Sequence, residues 1–245
     1  MKRLPALRRV VALLLLLALG SLVAGRTFAA EAKLTDPSLT LLDWKIDGVD
    51  REAAVYVPQK ISAGGAPLVF VFHGRNNKLT GFVNYFPVHR GWPEAVVVYM
   101  QGLVMPWPTG KTADGKAKSG TGWQVEPGGQ GDRDLKFFDA VLATVRQKHD
   151  IDPAQIFATG HSNGAAFVYL LWQERAATFA ALAPVAGGLW AARDNTDVTS
   201  LLVPKPVLQI AGRKDPTVKF ELMVAMVGIV RRVNGCESTS IPWGD

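Results

Sequence analysis

The run Ile156-Phe157-Ala158-Thr159-Gly160-His161-Ser162-Asn163-Gly164 decides the reading of this chain. A short apolar stretch suited to a buried strand ends in Gly160-His161-Ser162-Asn163-Gly164, and an Ala-rich helical run follows at once. Strand, sharp turn and helix together are the setting of a nucleophile elbow, in which a Ser is held on a strained turn with its hydroxyl exposed. Ser162 is the candidate nucleophile. Gly160 and Gly164 fall where strand and helix backbones must crowd together, and the turn leaves little room for a β-carbon. A five-residue G-x-S-x-G pattern is common by chance, so its weight rests on the flanking strand and helix.

Outward from the elbow, strands and helices alternate. Pro67 to Phe72 and Ala95 to Tyr99 are continuous apolar runs of the kind found in strands covered on both faces. Leu39 to Trp44 and Ala53 to Val57 bracket Asp47-Gly48, which predicts an opening antiparallel hairpin. Leu135, Phe138, Leu142 and Val145, widened by Phe137 and Val141, predict an amphipathic helix over 134–148. Asp152-Pro153 reads as the turn into the Ser162 strand, and Ala165 to Trp172 as a helix apolar on nearly all sides. Ala180 to Val185 and Val207 to Ala211 read as further strands, with a polar excursion around 194–199, and a last helix is expected over 218–233. The stretch Gln101 to Gly131, rich in Gly, Pro, Lys and Trp, reads as a long functional or mobile loop, its lysines a solvated face. The alternation implies βαβ crossovers and a mainly parallel sheet, with reactive groups beyond the carboxyl ends of its strands.

With 245 residues and 48% hydrophobic content, the chain can bury one sizeable core. Its net charge of +6 is concentrated at the start: Lys2, Arg3, Arg8, Arg9 and Arg26 against Glu31 leave +4 in residues 1–32 and only +2 for the rest. A near-neutral body argues against nucleic acid as a partner. The basic start, the apolar run from Val10 to Ala24 and the small residues Ala29, Ala30 and Ala32 predict a cleavable export signal over 1–32, followed by one domain over 33–245. The apolar run of about fifteen residues is short of the roughly 20 a permanent span needs. The expected location is secreted or periplasmic, with no stable membrane span after removal of the leader. Cys236 is the single cysteine, so a disulfide within the chain is impossible. No Cys/His cluster suggests a metal and no Gly-rich phosphate loop a nucleotide, so no cofactor is expected.

Three groups fall at strand ends: His73-Gly74, Ser162 and Asp215. In acyl transfer Ser162 attacks the carbonyl, and backbone N–H groups receive the charge on its oxygen. The expected donors are Asn163, after the nucleophile, and Gly74 or Arg75, after the early strand. Asp215 is placed to orient a protonated His, although an Asp before Pro also serves as a helix cap or turn carboxylate. For His73 the preferred reading is a turn residue whose ring takes no part in the chemistry.

The motifs VFVFHG, ATGHSNGAA and IAGRKDPTV resemble the secreted α/β-hydrolase esterases related to polyhydroxybutyrate depolymerases and feruloyl esterases, over roughly residues 37 to 236. The resemblance implies the α/β-hydrolase fold, a mostly parallel sheet flanked by helices. It also implies a Ser hydrolase acting on small or polymeric hydroxyalkanoate, feruloyl or acetyl esters, with Ser162 as nucleophile and Asp215 as triad acid. That family carries its triad His after a further strand downstream of the acid. Here His73, His89, His149 and His161 all precede Ser162: His161 is expected to point away from the nucleophile, His149 to end a surface helix, and His89 to lie in a variable loop. The family's Asn-Gly-Cys segment, here Asn234-Gly235-Cys236, continues into a disulfide partner and the His strand. The expectation is therefore a C-terminally truncated esterase lacking its last strand and catalytic His, with weak activity or none. The alternative is a catalytically inactive binding protein of the same fold, with Trp107 and Trp123 stacking on sugars or aromatic acids, or else serving as core and loop anchors.

Overall fold

Asp47 and Gly48 both adopt positive φ, 48° and 81°, and make the two-residue turn that joins β1 (Leu39–Ile46) to β2 (Val49–Tyr56). Asn-, Asp- and Gly-rich turns of this mirror-image type match the right-handed twist of paired strands. The hairpin closes on the pair Ile46↔Val49, as the dipeptide predicts. This is a computed structural model, and it describes residues 34–189, 198–237 and 239. The predicted leader over 1–32 and most of the polar excursion at 194–199 lie outside the described residues. Among the described residues no helix is long and apolar enough to cross a membrane.

Downstream follow β3 (Ala66–Phe72), the short helices α1 (Leu79–Tyr85) and α2 (Val88–Gly91), β4 (Val96–Met100), β5 (Leu103–Lys111) and β6 (Ala117–Gly122). Then come α3 (Arg133–Lys148), β7 (Ile151–His161), α4 (Asn163–Arg175), β8 (Ala181–Val185) and α5 (Phe220–Val233). The main sheet runs β1-β2-β4-β3-β7-β8. Its first two pairings are antiparallel and the other three parallel. The segment expected as a strand at 207–211 joins the edge only through isolated bridges, Leu182↔Val207 and Val185↔Ile210. Four hydrogen bonds from Leu182, Ala186, Leu208 and Ile210 still carry the parallel pattern across it.

The central strands show why their sequence is continuously apolar. Leu68, Phe70 and Phe72 of β3 face the larger core, where Leu135, Phe138 and Val141 of α3 meet Phe167 and Leu170 of α4. The alternate residues Val69 and Val71 face a second layer with Leu79, Phe82 and Val83 of α1. Period-2 alternation on the strand is thus covered twice. Helix α4 is buried from Gly164 through Trp172, as a helix without a polar face requires.

Two expectations are corrected. Residues 101–131 are not a structureless loop: β5 and β6 form an antiparallel ribbon, paired Leu103↔Gly122 to Pro106↔Ser119 with a register shift before Lys111↔Ala117. No apolar alternation announces it, because most of β6 is solvated and the ribbon is anchored by a few tryptophans. Asp152-Pro153 does not precede β7 but lies inside it as a bulge. The register with β3 steps from Ala66↔Ile151 to Leu68↔Ile156, and the Asp152 carboxylate accepts the Ala154 N–H at 2.8 Å.

Polar groups buried under the ribbon fix its base. Arg51 of β2 donates to Asp134 at 2.8 Å, with both side chains almost fully buried, and the other Asp134 oxygen accepts the Gln124 N–H at 2.8 Å. Burial pushes the Arg51 guanidinium down and the Asp134 charge opposes that. Breaking such a pair from one side strands a buried charge.

At the end of β3, the fully buried ring of His73 accepts the Gly102 N–H at Nε2 (2.9 Å). An amide only donates, so the imidazole proton sits on Nδ1, which faces the Gly74 carbonyl oxygen at 2.7 Å. His73 is a structural pin, in agreement with the preferred reading. Desolvation lowers its pKa to about 4. The unfolded chain takes up this proton first, near pH 6.5, so stability falls as pH drops through that value and levels off below pH 4. Denaturant unfolding at pH 7 and pH 5 is expected to differ by about 2 kcal/mol from this residue. A pH-independent unfolding free energy over that range would contradict the assignment.

Candidate active site

Ser162 sits between the last residue of β7 and the first of α4 with φ 55° and ψ −114°. A non-glycine residue in that region costs of order 1–3 kcal/mol and persists only where its surroundings enforce it. Here they do. The Ser162 N–H donates to the Val185 carbonyl of β8 at 2.8 Å, and its own carbonyl accepts the Ala166 N–H at 3.1 Å. A β-carbon at Gly160 would lie 2.6 Å from the Gly164 backbone, and one at Gly164 would lie under 3 Å from the Phe72 and His73 carbonyl oxygens. Both glycines are therefore required by close backbone approach, as the sequence implies.

The serine borders a cleft of about 480 Å³ at the carboxyl ends of the strands, and Gly74, Arg75 and Asn163 line the same cleft. Four of the five predicted site residues are thus brought together. The Asn163 N–H belongs to the first turn of α4, where amides lack intrahelical acceptors and the helix dipole favours negative charge. Among the described residues neither the Gly74 nor the Arg75 N–H donates to a carbonyl. The turn that presents them is tied to β6, since the Asn76 N–H donates to Thr121 O (2.9 Å) and the Thr121 hydroxyl to Asn77 O (2.7 Å).

The Asn163 carboxamide is committed elsewhere: its Oδ1 accepts the Trp123 N–H at 2.8 Å and its Nδ2 donates to Trp123 O at 3.1 Å. Trp123 in turn donates its indole N–H to His73 O at 2.9 Å and packs against Phe72 and Phe167. It is fully buried, so it anchors the loop and offers no face to a sugar. Sequence reading passed over this clamp; its one visible sign is the pair Gly120 and Gly122, where any β-carbon would strike the Asn76 or Asn163 side chain.

Asp215 is not itself a cleft wall, although Thr217 and Val218 are. Its Oδ1 accepts the Val218 N–H at 2.9 Å and the Thr217 N–H at 2.8 Å, and these two bonds hold its pKa below the usual carboxylate range. It therefore makes the turn-carboxylate contacts weighed as its alternative reading.

His161 departs from expectation. Its side chain does not leave the site: it is half-buried, lines the cleft, and sets Nδ1 against Gly74 without a hydrogen-bond partner. Burial lowers its pKa and the Asp215 charge partly offsets this, so the two groups feel each other. No hydrogen bond joins Ser162, His161 and Asp215 among the described residues. His89 is likewise corrected. It lies in α2 and is buried, with Nδ1 at 2.8 Å from the Tyr99 hydroxyl and Nε2 at 3.1 Å from Asp36. His149 caps the C-terminus of α3, as expected. The Cys236 thiol is exposed and free.

No family model matches the chain. It is 28% identical over 174 residues to feruloyl esterase C of Emericella nidulans, an alignment covering 71% of this chain and 58% of that protein. The chain thus spans somewhat over half the length of this relative. Among solved structures it superposes on a thermostable esterase with TM-score 0.59 at 17% identity, covering 80% of this chain and 52% of that one. On the Bacillus cereus carboxylesterase the TM-score is 0.54 at 17% identity, over 75% of this chain and 81% of the other. With the sheet order and elbow described above, these superpositions establish that the chain has the α/β-hydrolase fold.

Proposed function

We propose that this chain is a serine carboxylic-ester hydrolase in which Ser162 forms the acyl-enzyme. The observation that carries the reading is the enforced strain at Ser162, whose backbone is held from β8 and α4 while the residue borders a cleft shared with three amide groups. Strain of this kind is concentrated at sites where a side chain must be presented rather than buried. The N–H groups of Gly74 or Arg75 and of Asn163 would stabilise the oxyanion, which gains most where donors are fixed before charge develops. Similarity to a feruloyl esterase C supports a feruloyl-type aromatic ester as the substrate class. The basic and apolar leader read at residues 1–32 supports export.

Asp215 is assigned the acid role because it follows the 206–210 edge segment and acts electrostatically on His161. The base is the weak member of the set, since no imidazole bridges Ser162 and Asp215 among the described residues. Hydrolysis by this chain alone is therefore slow, supported by the amides and by binding. Systems that lose one triad member keep roughly 10³- to 10⁴-fold catalysis over water.

Free imidazole small enough to enter the cleft should stand in for the base. With a short-chain p-nitrophenyl ester, added imidazole is expected to raise the rate about tenfold, less than the roughly 10²- to 10⁴-fold a positioned general base supplies because the added base is not held in place. The Ser162→Ala protein is expected to show only the solution reaction of imidazole with the ester. Identical rates for both proteins, with and without imidazole, would remove the enzymatic assignment and favour a binding protein of this fold.

A further inference from the structure

The cleft is sorted by chemistry along the direction of the sheet. Strand β8 lies on one side of β7 and β3 on the other. Toward β8 and α5 the cleft wall is Leu189, Val218, Leu222, Met223 and Met226, with no charged side chain on that side. Methionine is an adaptable lining for apolar groups of varied shape. Met226 is seated against Gly188, where a β-carbon would lie 2.5 Å from its Cγ, and its sulfur accepts the Leu189 N–H at 3.3 Å.

Toward β3 the wall is Gly74, Arg75 and Asn77. Among the residues lining the cleft, Arg75 alone carries a permanent charge. Its guanidinium carbon lies 4.1 Å from the centroid of the Trp107 ring. That ring is 6% exposed and wedged over Gly122, where a β-carbon would lie 2.7 Å from it. The tryptophan is thus a fixed platform, and the cation–π contact orients an otherwise flexible side chain. Among the described residues Arg75 makes no salt bridge, in contrast to Arg51, Arg90, Arg133 and Arg175. A guanidinium held on that platform by a residue that lines the cleft, with its N–H groups unclaimed by a protein carboxylate among the described residues, suits bidentate recognition of a carboxylate.

We infer that the cleft selects esters bearing a carboxylate on the flank toward β3, paired with Arg75, and an apolar group on the flank toward α5. This rests on the ester-hydrolase reading for its catalytic consequence, but the binding preference stands without turnover. Two matched pairs probe it: 4-butyryloxybenzoate against its methyl ester, and monophenyl succinate against methyl phenyl succinate. In at least one pair the carboxylated member is expected to have kcat/KM about tenfold higher at low ionic strength, the advantage shrinking with added salt. Arg75→Gln should bring that ratio to about one, and Arg75→Lys should keep part of it.

In the Ser162→Ala protein, calorimetric titration with the same esters should show about tenfold tighter binding of the carboxylated member, lost on adding Arg75→Gln. Equal kcat/KM and equal affinity within both pairs would overturn the carboxylate site while leaving ester hydrolysis standing. Charge-selective binding without turnover of any ester would do the reverse, keeping the site and removing the hydrolase reading.

Discussion

The arrangement depends on one crowded crossing, where the turn at Ser162 passes between the ends of β3 and β8. The backbones of Gly160 and Gly164 meet there at a separation that excludes a β-carbon, and the carbonyl oxygens of Phe72 and His73 close the other side. That contact sets how far α4 advances over the sheet. It also places the first-turn amide of α4 beside the Gly74 turn. Steric exclusion at two glycines, rather than any single attractive contact, fixes the relation between the serine and its neighbouring amides. The strain at Ser162 is the consequence, borne by hydrogen bonds to Val185 and Ala166.

A second layer converts that placement into a rigid site. The β5–β6 ribbon reaches back over the strand ends and ends in Trp123, which holds the Asn163 carboxamide with its backbone and the His73 carbonyl with its indole. Gln124 then ties the ribbon to the buried Arg51–Asp134 pair. A chain of polar contacts thus runs from the antiparallel edge of the sheet to the elbow. Its one gap among these groups is the buried Arg51 Nε, which has no hydrogen-bond partner. The same ribbon carries Trp107, the platform under Arg75, so one excursion of the chain both stiffens the elbow and shapes one flank of the cleft.

Much of this was legible in the sequence because it rests on local rules. The Asp47-Gly48 turn, the doubly covered strands, the apolar helix behind the elbow and the need for Gly160 and Gly164 follow from backbone sterics and periodicity. The ribbon at 103–122 was not legible, since its strands bury few residues and pair through Pro- and Gly-rich backbone. Alternation on an extended strand predicts that neighbours of Ser162 face away, whereas His161 lines the cleft. The positive φ at Ser162 breaks that alternation at the residue concerned. Asp215 is a candidate by its position after an apolar run, but sequence alone leaves open whether its carboxylate caps a turn or holds a base. Its hydrogen bonds to Thr217 and Val218 answer the first half of that question.

The proposed reaction centre unites the Ser162 hydroxyl with the amides around it. The most direct measurement is a crystal structure of the protein with an aryl boronic acid, which mimics the tetrahedral intermediate of acyl transfer. A covalent bond from boron to the Ser162 oxygen is expected, with one boronate oxygen within hydrogen-bond distance of the Asn163 N–H and of the Gly74 or Arg75 N–H. A boronic acid bound away from Ser162, or bonded to it with every oxygen turned from those amides, would contradict that assignment.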